Sequence, residues 1–316
     1  MTKTNAPQDP TAEIRDAAQL LSQTRGRPCL LAMVPHFSRA CLATFCDVIA
    51  SLPTGVPVDV VLSSHGGCID TAYVIARALG RRRAHTAVFV PLCAKSAATL
   101  VALVANELVV GPLGELGPID AQFDRKQQAD FSARCSELAV MKAVGQAGEA
   151  SLDLFDEAVR RIVGASGMTA ADGAARAADL VGELMGRVYG QLDPVRVAEA
   201  GRALEVAIEL ASRVLRRYRS EVGAEQARTL LQRLTYGYPC HGFPLDFEEL
   251  IDLELPVRAP EGSEADCLHR MARVLLPLED QIELLEVVQN ENGAAGADAP
   301  YSGETKCEEK VDALAS

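Results

Sequence analysis

The sequence lacks the features that mark several large classes of protein. Basic residues are in deficit, since 31 Lys and Arg face 43 Asp and Glu for a formal net charge of −12. Arg81, Arg82 and Arg83 form one short basic run, far less than the basic surface that duplex DNA or RNA requires. No run approaches the ~20 apolar residues of a membrane span, and the first residues contain no signal-peptide core. We therefore expect a cytoplasmic protein that binds no nucleic acid and does not insert into membranes.

Paired cysteines are also missing. The nine cysteines form an odd set without a Cys-x-x-Cys pair. Most of them lie in apolar stretches, where a thiol packs as a small hydrophobic group. This pattern predicts a reducing compartment, no disulfide framework and no metal site, and nothing in the sequence calls for a cofactor.

The first half of the chain has the pattern of an α/β fold. Short apolar runs alternate with helix-like segments, the runs at 29–34, 58–62, 86–90 and 107–110 and the segments at 39–52, 69–79 and 96–105. Strands that are apolar on both faces, each followed by a helix, form a parallel sheet that is covered on both sides. We therefore expect a parallel sheet built from βαβ units.

The second half has a helical pattern. Apolar residues recur at spacings of three and four in the segments 138–144, 152–163, 195–215 and 224–234. A segment rich in Gly and Pro at 236–246 interrupts these helices and predicts an ordered loop. The tail after residue 290 has little to bury and is predicted to be disordered.

Two turns in the first half carry groups that suit catalysis. Gly66 and Gly67 follow a predicted strand and precede a helix, so their backbone can approach a substrate closely. Ser96 opens an apolar helix among small neighbours that leave its hydroxyl accessible. A tight connection explains the diglycine alone, and an N-cap explains the serine alone. However, both follow parallel strands at the edge where ligands bind, and the N–H of Ala97 could join that of Gly67 in an oxyanion hole.

These turns belong to a set of four ordered motifs. The set comprises the diglycine, the turn Lys95-Ser96-Ala97-Ala98-Thr99, the segment Leu113-Gly114-Glu115-Leu116-Gly117-Pro118-Ile119-Asp120 and a motif around His241 that runs from Tyr238 to Asp246. Together they resemble the serine dehydrogenase proteinase family, related to signal peptide peptidase A and the Clp protease proteolytic subunit. The resemblance covers roughly residues 28–257. It implies an α/β, Clp protease/crotonase-like fold with a parallel sheet of βαβ units and a helical C-terminal half.

We divide the chain on this basis into four parts. An N-terminal segment spans 1–27, and the Clp/crotonase-like serine peptidase domain spans 28–257. A C-terminal helix over 258–290 and a disordered tail over 291–316 follow.

The resemblance also implies roles for individual residues. Ser96 is the nucleophile of a serine peptidase that cleaves peptide bonds through an acyl-enzyme, and its substrate is a peptide or protein. Gly66, Gly67 and Ala97 form the oxyanion hole. A serine hydroxyl is a weak nucleophile at neutral pH, so the site also needs a base.

Three residues are candidates for the base and its partner. His241 matches the family's histidine, and an imidazole titrates near neutral pH. Asp120 falls where the Clp subunit has its catalytic histidine, so it could orient His241, bind substrate or cap a turn. Lys142 is the alternative base, because signal peptide peptidases use a Ser-Lys dyad. On an amphipathic helix, however, a lysine is more often a solvated residue.

Two departures from the family's pattern keep other functions open. His65 stands where a proline usually precedes the diglycine, and Gly242 follows His241 where an aspartate is common. The chain could therefore be a catalytically silent, oligomeric binding or scaffold protein of the same fold. Acyl-CoA chemistry of the crotonase type is a third option, against which Ser96 directly after Lys95 argues.

The helical half predicts self-association. Its apolar faces are numerous and the related families form closed oligomers, so we expect a homo-oligomer in solution. Sedimentation velocity is expected to show an assembly at micromolar concentration, both for the full chain and for a chain truncated after Asn290. A monomer alone would contradict this prediction.

Overall fold

The computed structural model describes residues 9–119, 137–278 and 280–289, with the backbone alone for 137–139. Its central sheet consists of β1 (Cys29–Met33), β2 (Val58–Ser63), β3 (Thr86–Val90), β5 (Glu107–Val110), β7 (Val257–Arg258) and β8 (Leu284–Val288). The strand order is β7-β5-β3-β2-β1-β8, and every pair is parallel except β1 with β8. Two short strands, β4 (Cys93–Ala94) and β6 (Glu115–Leu116), pair in parallel beside it. The mostly parallel α/β sheet predicted from the sequence is confirmed.

Helices surround this sheet. They are α1 (Pro10–Arg25), α2 (Arg39–Ser51), α3 (Ile69–Arg81), α4 (Ala97–Ala102), α5 (Glu137–Ser166), α6 (Ala170–Tyr189), α7 (Pro194–Tyr218), α8 (Ala224–Tyr236), α9 (Phe247–Asp252) and α10 (Ser263–Leu275). Helices α2, α3 and α4 connect successive parallel strands. None of the helices in the described ranges is both long and apolar enough to cross a membrane.

The sheet is covered on both faces, which explains why its strands have no polar side. On β1, Leu30 and Ala32 pack in one cluster with residues of α2, α3 and α7. The alternating residues Leu31 and Met33 pack in a second cluster with α1 and α10. Successive side chains of a strand point to opposite faces, so a strand between two helical layers must be apolar throughout.

The C-terminal part of the chain differs from the sequence expectation. The segment 258–290 was expected to be a helix, but only α10 is helical, and β8 follows it as an edge strand of the central sheet. Strand β8 pairs with β1, with Met33 opposite Leu284. Strand β8 is therefore the edge strand next to β1. Helix α1, from the segment expected to lie outside the domain, packs against α10.

The helical half is more continuous than its apolar pattern indicates. The segments 138–144 and 152–163 lie in one helix, α5, and α6 is an additional helix that the sequence analysis did not identify. Large apolar side chains remain exposed on this part, with Leu152 exposed to 70% and Leu184 to 50%.

A buried cluster of charges ties α1 and α10 to the sheet. The guanidinium of Arg25 lies 2.7 Å from Asp59, 3.1 Å from Glu107 and 2.6 Å from Glu264. Asp59 is fully buried, on the second residue of β2. Burial raises the pKa of Asp59 to about 6, although the positive charge of Arg25 opposes this shift. Arg25 therefore compensates a carboxylate that has no access to water.

Replacing Arg25 tests this cluster. Arg25→Ala leaves the charge of Asp59 buried without its closest partner, so the free energy of unfolding should fall by about 3–5 kcal/mol. Arg15→Ala is the matched control on the same helix. Its side chain is 46% exposed in an ion pair with Glu286, and its loss should cost at most about 1 kcal/mol.

The pH dependence of the Arg25→Ala variant gives a second measurement. Without Arg25 the folded-state pKa of Asp59 rises further above its unfolded value. The folded protein then binds more protons than the unfolded chain, so the variant's stability falls as the pH rises from about 5 to about 8. Urea unfolding at both pH values measures this. An equal loss for Arg25→Ala and Arg15→Ala, or a loss that does not grow with pH, would contradict the buried-charge account.

Candidate active site

The diglycine turn follows strand β2. Gly66 and Gly67 have φ angles of 101° and 117°, in the region that favours glycine. Gly67 forms a bridge with Phe37, whose N–H donates to the carbonyl oxygen of Gly66 at 2.6 Å. A Cβ on Gly67 would lie 2.5 Å from the carbonyl oxygen of Phe37. Backbone conformation and backbone contact therefore both require glycine here.

Ser96 lies between β4 and α4 in a strained conformation. Its φ is 52° and its ψ is −117°, and it is one of three described residues other than glycine with a positive φ. Such a conformation costs about 1–3 kcal/mol and is found preferentially at active sites. Within the described helix α4, the side chain of Ser96 makes no capping hydrogen bond. The N-cap interpretation therefore does not explain this serine.

The two turns lie in direct contact. A Cβ on Gly66 would lie 2.7 Å from the Cβ of Ser96 and 3.0 Å from the backbone nitrogen of Ala97. The N–H of Lys95 donates to the carbonyl oxygen of Ser64 at 2.9 Å. This bond fixes the turn that holds the serine against the chain that leads into the diglycine. The structure thus brings together the two turns that the sequence analysis selected.

Two backbone N–H groups remain available at this junction. No hydrogen bond among the described residues uses the N–H of Gly67 or that of Ala97. The N–H of Gly66, by contrast, donates to Oγ of Ser64 at 3.2 Å. Of the three residues predicted for the oxyanion hole, Gly67 and Ala97 therefore offer donors, whereas Gly66 provides room for close packing.

The accessibility of Ser96 differs from the sequence expectation. Small neighbours predicted an accessible hydroxyl in a cleft, but Ser96 is only 1% exposed. The cause includes the close approach of the Gly66 backbone to the Ser96 side chain.

The turn around Ser96 is anchored by interactions that the sequence analysis missed. The ammonium of Lys95 lies 2.5 Å from the carboxylate of Glu115. Oγ1 of Thr99 donates to the carbonyl oxygen of Gly117 at 2.7 Å. These residues belong to two of the four motifs that the sequence analysis selected, and that coincidence was the available signal for their contact. The motif around Gly117 therefore buttresses the serine turn.

The loop that carries His241 is attached to the same region. Leu245 and Leu116 exchange backbone hydrogen bonds of 3.0 and 2.9 Å, and Leu116 pairs with Ala94, two residues before Ser96. Two strand spacings, about 10 Å, thus separate Leu245 from the strand that leads to the serine. His241 is half-buried and its Nδ1 atom is fully buried. The histidine loop therefore lies on the serine's side of the fold.

Lys142 lies against this loop. Its ammonium donates to the carbonyl oxygen of Tyr238, so Lys142 is half-buried rather than a solvated residue on a helix surface. The ring of Tyr238 stacks on Phe243 with centroids 5.2 Å apart, and its hydroxyl donates to Glu249 at 2.5 Å. Burial, together with this hydrogen bond, raises the pKa of the Tyr238 hydroxyl. These contacts hold both sides of the segment that contains His241.

His65 adds an imidazole beside the diglycine. Its Nε2 lies 3.4 Å from Oδ1 of Asp280, and its ring lies 5.8 Å from the ring of His36. The backbone N–H of His65 donates to the carbonyl oxygen of Pro35 at 3.1 Å, a bond that a proline at this position could not form. A histidine in place of the family's proline thus adds a backbone hydrogen bond between the chain after β1 and the diglycine turn.

Asp120 lies outside the described residues. The residue before it, Ile119, donates its N–H to the carbonyl oxygen of Leu234 at 2.9 Å. Ile119 therefore lies against the end of helix α8. Within the described ranges, no cluster of three His, Cys, Asp or Glu side chains has the arrangement of a metal site.

Comparisons with known proteins agree with the geometry. Residues 44–158 match the model of a family described as ClpP-like SDH-type serine proteinase. The chain is 26% identical over 247 residues to the uncharacterized protein MJ0137 of Methanocaldococcus jannaschii, covering 78% of this chain and 69% of the relative. It is 32% identical over 79 residues to the uncharacterized protein MJ1495 of the same organism, covering 25% of this chain and 27% of that relative. No solved structure matches the chain.

The strain at Ser96 predicts an unusual order of stabilities. Glycine adopts a positive φ without strain, whereas alanine keeps the strain of the serine. Ser96→Gly should therefore be more stable than Ser96→Ala, by about 1 kcal/mol in urea unfolding. Ser63, buried at the end of β2, is the matched control. At position 63, Ser63→Gly should be less stable than Ser63→Ala by about 0.5–1 kcal/mol. The same order at both positions would contradict a strained Ser96.

Proposed function

We propose that the protein is a serine peptidase that acts through Ser96, because residues 44–158 match the ClpP-like SDH-type serine proteinase family. The observation that carries this proposal is the contact between a strained serine and a diglycine turn, with two unused N–H groups at their junction. The substrate is a peptide or protein. The reaction requires no cofactor, because nucleophile and oxyanion donors both come from the chain.

The proposed reaction proceeds in two halves. Oγ of Ser96 attacks the carbonyl carbon of the scissile peptide bond while the base accepts its proton. The electron pair of the carbonyl moves to the oxygen, and the N–H groups of Gly67 and Ala97 stabilise the resulting oxyanion. The C–N bond then breaks, the amine takes the proton from the base, and an acyl-enzyme remains. Water then attacks the carbonyl carbon of the acyl-enzyme while the base accepts a proton from the water. The bond from that carbon to Oγ breaks, Ser96 takes the proton from the base, and the acid leaves.

The oxyanion donors have a physical advantage over side-chain donors. Both are backbone groups whose positions are fixed by the bridge of Gly67 to Phe37 and by the start of helix α4. A preorganised donor does not have to reorient when charge develops, and loss of one such donor typically slows a reaction by about 10²–10³. The buried surroundings strengthen this effect, because water does not screen the charge.

We propose His241 as the base. It lies in a loop that is joined to the strand pair next to Ser96, and its neighbours Tyr238 and Phe243 are held in place. Lys142 remains the alternative base, but its ammonium donates to the carbonyl oxygen of Tyr238. This contact favours a role for Lys142 in holding the loop of His241. Asp120 is the proposed partner of His241.

The burial of Ser96 is also compatible with a second function. Ser96 is 1% exposed, which suits a catalytically silent oligomeric protein as well as a peptidase that opens on binding. In that case the exposed apolar residues of α5 and α6, such as Leu152 and Leu184, would be the functional surface. Both functions are consistent with a cytoplasmic homo-oligomer.

Labelling with a fluorophosphonate probe separates these functions. The wild-type protein should form a covalent adduct on Ser96, and Ser96→Ala should form none. His241→Ala should slow labelling by about 10²–10⁴-fold, because the serine loses its general base. His269→Ala, an exposed histidine on α10, is the matched control and should label at the wild-type rate. Thermal unfolding of each variant verifies that it is folded.

Three other outcomes would change the assignment. Labelling that survives His241→Ala but is lost in Lys142→Met would establish Lys142 as the base. Labelling that neither change affects would contradict both candidates. A folded, assembled wild-type protein that no probe labels would support the silent oligomer and contradict the peptidase.

A further inference from the structure

A cavity that the peptidase proposal does not use lies at the opposite end of the sheet from Ser96. It has a volume of about 380 Å³ and lies where α3 and α7 end and where β3 and β5 begin. Ser96 follows the carboxyl end of β3, whereas Thr86, which lines the cavity, is the first residue of β3. The cavity is therefore a separate location from the candidate active site.

The charged side chains that line this cavity are cationic. Arg83 and Arg217 line it together with His85 and Asn106. None of the described lining residues carries a carboxylate. Arg217 donates one N–H to the hydroxyl of Tyr73 at 3.2 Å, which leaves the rest of its guanidinium for another acceptor. In a chain with a formal net charge of −12, this is a local concentration of positive charge.

The carboxylate that acts on His85 is already paired with other arginines. Glu107 acts electrostatically on His85, but its oxygens accept hydrogen bonds from Arg25 and Arg258. Helices α3 and α7 both direct their C-terminal ends toward the cavity, and each end carries about half a negative charge. Together they offset about one of the two guanidinium charges, so a net positive charge remains.

Backbone geometry adds an independent observation. Arg83 has a φ of 52°, at the position after a helix where glycine is the usual residue. A residue other than glycine is strained in this conformation, and retained strain is common at ligand sites. Gly80, three residues earlier, lies where a side chain would not fit. A Cβ there would lie 2.4 Å from Cγ of Tyr218, so the glycine allows the aromatic ring to form a wall of the cavity.

We propose that this cavity binds a small phosphate-bearing molecule between Arg83 and Arg217. Guanidinium groups match phosphate oxygens in bidentate geometry. The volume exceeds that of a single phosphate and falls within the range of small-molecule sites. The ring of Tyr218 provides a flat surface for the remainder of the ligand.

Titration calorimetry with inorganic pyrophosphate at constant ionic strength tests this site. Wild-type protein should bind pyrophosphate saturably, with a Kd of about 1 mM or lower. The double variant Arg83→Gln/Arg217→Gln should bind at least about tenfold more weakly, because each charged hydrogen bond is lost. The matched control is Arg81→Gln/Arg216→Gln, which removes the same charge from the same two helix ends but from residues outside the cavity lining. Its affinity should stay within about twofold of wild type.

A single variant guards against misfolding. Arg83→Gly removes the guanidinium and suits the positive φ, so this variant should retain the wild-type thermal midpoint and still lose affinity. Absence of saturable binding to the wild type would overturn the proposal. Equal weakening in both double variants would also overturn it, because pyrophosphate would then respond to overall charge and not to the cavity. Neither result bears on the labelling of Ser96.

Discussion

The candidate site depends on the absence of one side chain. At Gly66 there is no room for a Cβ, which would lie 2.7 Å from the Cβ of Ser96. Because that atom is missing, the backbone of the diglycine turn can lie directly on the serine turn, and the N–H groups of Gly67 and Ala97 come to one junction. A larger residue at position 66 would separate the two turns, and the proposed oxyanion site would be lost together with the contact.

The parallel sheet makes this contact possible. Strands β2 and β3 are neighbours and run in the same direction, so the turns that follow them meet at one edge. At the amino ends of the strands, the buried charges around Arg25 fasten α1 and α10 to the sheet. Structural charges and candidate catalytic groups are thus at different ends of the strands. This separation allows the serine turn to hold strain while the rest of the fold supplies the stability that offsets it.

The sequence predicts the sheet and the meeting of the two turns, because both follow from local patterns. Apolar runs indicated β1, β2, β3 and β5, and a strand followed by glycines or serine indicated the turns. The sequence pattern did not predict β8, since that strand pairs with β1, which lies more than 250 residues earlier in the chain. The continuity of α5 was missed because Gly145 and Gly148 interrupt its apolar pattern. The strain at Ser96 and the contact of Lys142 with Tyr238 depend on tertiary packing, which spacing alone does not encode.

The most direct test of the central claim is a crystal structure of the protein after reaction with a peptidyl phosphonate. The phosphorus should be bonded to Oγ of Ser96, and one phosphonyl oxygen should lie about 2.7–3.1 Å from the backbone nitrogens of both Gly67 and Ala97. That geometry would place the two donors where an oxyanion develops. An adduct on another residue, or a phosphonyl oxygen that contacts neither nitrogen, would contradict the account.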